Sequence, residues 1–360
     1  MSRWGDGTRW YGRVAGWLLA LALGGVTAVA GDIGGSSPQA VPLAGGAGGW
    51  SPQADTAAGA AAASYPDPGH VTGDVSVHDP SMIRAADGTY YLFSTHNGIQ
   101  IRHSADRVAF TRAGSVLPGG ATWASAYGNI NDPWAPDVSY RGGTYWLYYA
   151  VSSFGSNHSA IGLATSSTAA PGSWHDQGLV YASQSSDNFN AIDPALMVDG
   201  SGRWWLSFGS FWSGIKMIQI DPATGRQLAS DTTRYSIAQR PSPDAEEASY
   251  IYPHGGYYYL FVSFDFCCRG VNSTYHIMVG RSANPTGPYA DESGTPMTAG
   301  GGTQILATHG NVIGPGGQSV LHDTGGDLLV YHYYAASANG TPELGLNLLG
   351  WDAADWPYVM

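Results

Sequence analysis

Cysteine is nearly missing from this 360-residue chain: there are two, Cys267 and Cys268, and they are neighbours. Adjacent cysteines cannot staple distant segments, so no disulfide framework holds the fold, and stability must come from the core and the backbone ladder. The pair is either a vicinal disulfide or two buried thiols. With no CxxC and no His–Cys spacing beside it, it does not read as a metal site. Charge is also scarce, at 12% of residues, and it is lopsided: 15 basic against 27 acidic residues give a net charge of −12. Proteins that hold nucleic acid neutralise phosphates with clustered Lys and Arg, and no dense basic patch occurs here, so nucleic acid is excluded as a partner. HExxH, the P-loop, GxSxG and a GxGxxG after a strand are all missing, which removes the chemistries those motifs carry. Helical periodicity is scarce throughout.

The first thirty residues are a case apart. Arg3, Arg9 and Arg13 precede the apolar run "VAGWLLALALGGVTAVA" (14 to 30), and Ala28-Val29-Ala30 stands before Gly31 as a small-residue cleavage site. The pattern predicts a secretory signal peptide over 1–30 and a secreted, extracellular product. The apolar stretch is short and broken by glycines, and no second stretch is long enough to span a bilayer, so no membrane insertion is expected once the signal is removed. Residues 31–64 are almost wholly Gly, Ala, Ser, Pro and Gln and read as a disordered linker or leader. The folded domain is expected over 65–360.

What that domain has in quantity is aromatics: 13 Trp and 22 Tyr. They fall in short runs with Val, Leu and Ile, separated by Gly, Asp, Asn and Ser turns, an all-β signature. Five segments repeat one pattern of apolar run, break and second apolar run, starting at "YYLFS" (90), "YWLYYA" (145), "WWLSF" (204), "YYYLFVSF" (257) and "LLVYHYY" (328). Each unit offers about four short strands, and five such units predict a five-bladed β-propeller with a central funnel. Eleven residues before Tyr90, Tyr145, Trp204, Tyr258 and Leu329 stand Asp79, Trp134, Asp193, Glu247 and Gln318. On this count one repeat position holds all five, at the start of the strand that lines the channel. Three carboxylates then gather at one mouth. Like charges packed together raise one another's pKa, a cost that a purely structural design avoids.

Two carboxylates flanking a bond, one protonated and one ionised, are the machinery of glycoside hydrolysis, and a third can tune the acid. Trp134, Phe154, Phe211 and Trp212 offer apolar faces for a sugar ring. Calcium binding is the competing use of the acids, although no EF-hand spacing is present.

The ordered set "VHDPSMI" (with Asp79), "WAPDV" (134 to 138), "NAIDPALMVD" (with Asp193), "FDFCCRG" (264 to 270), "GPGGQSV" (314 to 320) and "HYY" (332 to 334) resembles glycoside hydrolase family 43, and within it the endo-1,5-α-L-arabinanases. The likeness runs over roughly residues 70 to 358. It implies a five-bladed propeller that cleaves internal bonds of arabinan, a pectic side chain, with inversion. Asp79 would be the general base, Glu247 the general acid, and Asp193 the residue that tunes and orients the acid. Adjacent Glu246 should point the other way on a strand. The resemblance places His332 against a hydrated cation, taken as calcium, and gives substrate contacts to His78, Trp134 and Asn190, with Phe154, Ser210 and Phe211 beside them. Two positions depart from the family pattern: Ser249 where proline is frequent, and Ala335 where an acid commonly follows "HYY". Alternatives on the same fold are an exo-acting α-L-arabinofuranosidase, a β-xylosidase, or a carbohydrate-binding propeller without catalysis. The chain ends at "DWPYVM" with no appended module, and a monomer is expected.

Overall fold

The computed structural model describes residues 65–360; the expected signal peptide over 1–30 and linker over 31–64 lie outside the described residues. Five sheets follow one another along the chain, each made of consecutive strands and antiparallel but for one two-residue edge pair in the first. Their innermost strands are Ser81–Arg84, Trp134–Arg141, Ala195–Val198, Glu246–His254 and Val312–Asp323. These are the five blades of the expected propeller. The glycine-marked breaks are the hairpins joining first to second strands. At Gly142-Gly143 (φ 59° and 83°) and Gly255-Gly256 (56° and 86°) both residues take positive φ, which a two-residue turn matched to strand twist requires.

The apolar runs bury both faces of each sheet because every blade is covered on both sides. Accordingly there is no single core. Five clusters form, one between each pair of neighbours: Phe93 and Ile101 of the first blade with Leu147 and Tyr149 of the second, and so on round to Leu92 against Val330 and Leu344 at the join of first and fifth. Each fully buried Leu, Ile or Val in these layers contributes roughly 1.5–3 kcal/mol. That join is sealed by the segment before the first blade. Gly69 N–H donates to Leu346 O at 2.8 Å and Leu344 N–H to Val75 O at 2.9 Å, while Thr72–Gly73 pairs in parallel with Ala109 and Phe110. Cys267 and Cys268 are bonded to each other, which settles the two alternatives left by the sequence.

Candidate active site

Five turns of the same kind form the funnel floor. Asp79, Ala135, Asp193, Ala248 and Gly317 all adopt left-handed φ, between 45° and 59°, and all line one cavity on the propeller axis. For the four that are not glycine, such a conformation costs about 1–3 kcal/mol each and persists where the surroundings enforce it. The eleven-residue count is corrected here. Ser81 pairs with Phe93 and Ala195 with Ser207, twelve residues apart, but Asp137 with Tyr148, Tyr250 with Phe261 and Ser319 with Val330, eleven apart. Hairpins of the second, fourth and fifth blades are one residue shorter. The true equivalents of Asp79 and Asp193 are therefore Ala135, Ala248 and Gly317. Trp134 and Glu247 stand one residue before that position and Gln318 one after it.

Glu247 reaches the funnel all the same. Its strand is bulged between Glu247 and Tyr250, and the carboxyl is buried. Ser210 Oγ donates to Oε2 at 2.6 Å and the Tyr275 hydroxyl to Oε1. Asp193 Oδ2 accepts the N–H of Ala248 at 3.0 Å, so Asp193 grips the backbone beside Glu247. Across the funnel, Asp79 Oδ2 accepts from Thr95 Oγ1 at 2.6 Å and faces His78 Nδ1 at 2.9 Å. The Asp79 N–H donates to His332 Nδ1 at 3.1 Å. Glu246 points away, as alternation requires. It is fully buried, no hydrogen bond reaches its oxygens, and burial pushes it up to about 8 despite nearby Arg240 and Lys216.

The electrostatics divide the three acids. Burial works against ionisation of Asp79, but the charge and hydrogen bond of His78, helped by His332 and Thr95, outweigh it and hold the carboxyl well below the usual range. Asp193 is driven well above its ordinary value by burial, then by the charges of Glu247 and Asp79. Glu247 is raised to about 7, by burial first, with the Ser210 hydrogen bond opposing and the charge of Asp79 adding. An ionised base facing a protonated acid is the state that acid–base hydrolysis needs at neutral pH.

The other expected residues are scattered around this centre. His78 lies next to Asp79 and stacks on His332 at 3.8 Å between ring centroids. Trp134 is half-buried, one residue from the floor position. Phe154 is 82% exposed and Trp212 is 36% exposed. Half-buried Phe211 packs beside Phe266, 6.0 Å between centroids. Asn190 is buried and both ends of its amide are engaged: Oδ1 accepts from Ser159 at 2.7 Å, and Nδ2 donates to Ser156 O at 3.2 Å. Its observed contacts tie down the loop that carries Phe154. Of the two departures, Ser249 is buried and donates to Ser207 Oγ at 3.0 Å, while Ala335 is fully buried in the fifth blade's second strand.

Four residues of the site escaped the sequence reading. Tyr275 and Thr95 hold Glu247 and Asp79 but sit in no motif. Tyr334, whose hydroxyl bonds His78 Nε2 at 2.9 Å, lies inside the quoted "HYY". Asp137, inside "WAPDV", is buried beneath the ring of turns and accepts from Leu196 N–H at 2.8 Å and Ser81 Oγ at 3.5 Å. It thereby ties together the strands that follow Asp193 and Asp79, and burial raises it to about 7.

Comparison with known proteins agrees with this geometry. Residues 70–357 match Glycosyl hydrolases family 43. A Bacillus subtilis (strain 168) protein named extracellular endo-alpha-(1->5)-L-arabinanase 1 is 47% identical over 287 residues, covering 78% of this chain and 87% of that one. The solved GH43 endo-arabinanase from Bacillus licheniformis superposes with a TM-score of 0.76 at 47% identity, over 80% of this chain and 99% of its own. A Cellvibrio japonicus (strain Ueda107) protein named extracellular exo-alpha-(1->5)-L-arabinofuranosidase is 40% identical over 301 residues, 79% of this chain and 86% of that one. With a five-bladed propeller, three acids at one funnel and a family match over almost all of the described residues, the chain belongs to glycosyl hydrolase family 43 and is a glycoside hydrolase.

Proposed function

We propose that the protein is a secreted, monomeric endo-arabinanase that hydrolyses internal 1,5-α-L-arabinofuranosidic bonds of arabinan with inversion. The observation that carries this reading is the division of labour in one funnel: Asp79 held ionised, and Glu247 held protonated near neutrality by burial. Asp79 takes a proton from water as that water attacks the anomeric carbon, and Glu247 donates its proton to the departing glycosidic oxygen. Asp193, tied to the backbone at Ala248, keeps Glu247 oriented. The names of relatives from Bacillus support both the endo mode and export. Exposed Phe154 and Trp212 support it too, as apolar faces for the C–H sides of successive furanose rings.

The residues also fit the calcium ion that the family resemblance implies. His332 is fully buried and its Nε2 has no hydrogen-bond partner, while Nδ1 is engaged by the Asp79 N–H. With Nδ1 an acceptor, the neutral ring carries its proton on Nε2, which suits contact with the water shell of a hydrated ion. Ligand atoms of His78, Asp79 and His332 lie within 4.8 Å of one another. Bound there, the cation would supply positive charge that favours the ionised base.

The test is digestion of linear 1,5-α-L-arabinan with product sizing, and nuclear magnetic resonance of the first-formed anomer. Mixed short oligosaccharides of inverted configuration are expected, with none from Glu247→Ala. Arabinose alone would establish the exo mode named for the Cellvibrio relative, and retained configuration would overturn the assignment of Asp79 as a base acting through water.

A further inference from the structure

The acid–base chemistry leaves one reactive group at the funnel mouth unused. The Cys267–Cys268 disulfide lies in the loop after Tyr257–Phe264, with Cys268 exposed, and Cys268 Sγ is 3.7 Å from His78 Nε2. The loop is pinned in this place. The Cys268 N–H donates to the Tyr334 hydroxyl at 2.7 Å, and that hydroxyl is bonded to His78 Nε2 at 2.9 Å. On its other side His78 Nδ1 faces Asp79 Oδ2 at 2.9 Å. Nδ1 is taken up by the Asp79 carboxylate, which leaves Nε2, the nitrogen shared with the Tyr334 hydroxyl, as the one to turn to a ligand. A carboxylate holding one imidazole nitrogen while the other is basic is the outer-sphere arrangement of metal-ligating histidines. Ligand atoms of His78, Cys267 and Cys268 all lie within 4.8 Å of one another. Only the bond between the sulfurs keeps them from being thiolate ligands.

We propose that reduction of the Cys267–Cys268 bond converts this corner of the funnel into a site for a thiophilic divalent cation, zinc or cadmium, held by His78 Nε2 and the two thiolates, and that filling it stops hydrolysis. The step balances. A dithiol delivers two electrons and two protons to the S–S bond and leaves as its own cyclic disulfide, and the cation then displaces both thiol protons to solvent. Two soft sulfurs and an imidazole select such ions over calcium, which takes oxygen ligands. Three protein ligands leave a fourth position for water. The loss of activity follows from His78: turning Nε2 from the Tyr334 hydroxyl to the cation draws the ring towards the 267–268 loop and away from Asp79, which loses its Nδ1 contact.

The experiment uses the full chain, either as oxidised protein or reduced with dithiothreitol and desalted without air, titrated with cadmium. Reduced protein should give the ultraviolet sulfur-to-cadmium charge-transfer band at one cadmium per chain, and hydrolysis should fall about a hundredfold, within the share that a general base contributes. Chelation by calcium-loaded EDTA, which takes cadmium and leaves calcium, should restore it, and oxidised protein should show neither effect. The double variant Cys267→Ser/Cys268→Ser should give no band and no cadmium sensitivity, and His78→Ala should bind cadmium about tenfold to a hundredfold more weakly. No band in reduced wild type, a band with hydrolysis unchanged, or equal inhibition of oxidised protein would each overturn the proposal. The oxidised–reduced contrast needs no variant, and the absorbance needs no substrate, so a chain inactive on arabinan still tests the site.

Discussion

Replacing Ser210 with alanine removes one of the two hydroxyl hydrogen bonds to Glu247, a 2.6 Å contact from a buried hydroxyl to Oε2 that pulls the group towards ionisation. A hydrogen bond to a carboxylate is worth about 1.5–3 kcal/mol, and the same hydroxyl can still contact a protonated carboxyl for about 0.5–1.5. The difference, about 1–1.5 kcal/mol, corresponds to about one pKa unit. Loss of a bond that favours the charged form raises the pKa, so Glu247 should move from about 7 to about 8. Because Glu247 must be protonated to act, its titration sets the alkaline limb of kcat/KM, and Ser210→Ala should carry that limb upward by about one pH unit. The acid limb belongs to Asp79 on the far side of the funnel and should stay below the ordinary carboxylate range. Initial rates of reducing-sugar release from linear arabinan across the acid and alkaline ranges measure both limbs. An alkaline limb that stays put or moves down would refute the assignment of Glu247 as the acid held by Ser210.

The neighbouring carboxyls should separate cleanly. Glu247→Gln is expected to lose about 10²–10⁴-fold in kcat, whereas Glu246→Gln, whose side chain faces Lys216 and Arg240, should stay within about an order of magnitude. In Gly317→Ala the new Cβ would meet Asp79 Oδ1 and His332 Nδ1 at 2.7 Å on a residue with φ 59°, so about 1–3 kcal/mol of strain should appear as a lower melting temperature together with lost activity. Asp137→Ala leaves the buried Leu196 N–H without its acceptor and should cost about 1–3 kcal/mol in a denaturant melt, and a variant as stable as wild type would dismiss its clamping role.

The blades were legible because a sheet covered on both faces writes itself as continuous Tyr, Trp, Val and Leu runs, and the glycine pairs at 142–143 and 255–256 mark hairpins that need positive φ. The three acids were legible by type and neighbourhood. Their exact frame was not, since a hairpin one residue shorter leaves no mark in an apolar run, and the count from Tyr258 landed on Glu247 although Ala248 is the equivalent residue. The partners of the acids were harder still. Tyr275 comes from just before a third strand and Thr95 from just beyond a second, and only the folding of each blade brings these hydroxyls onto the carboxylates. Asn190 shows the opposite error: a polar residue beside "IDP" spends its amide on Ser156 and Ser159.

The seal between first and fifth blades bears on the order in which activity arises during folding. Near the funnel floor each first hairpin pairs residues eleven or twelve apart, but the bond from the Asn347 side chain to Asp67 O spans 280 residues. Closing a loop of that length costs about 3 kcal/mol more in chain entropy than closing a hairpin, so the seam should form last and open first. Asp193 and Glu247 stand on adjacent blades far from it, and their coupling needs no closure. Asp79 stands on the first blade and is held by His332 of the fifth. On the proposed roles, the base is thus completed only when the ring is, and a chain whose blades have all folded but whose seam stands open has an acid with nothing to work against.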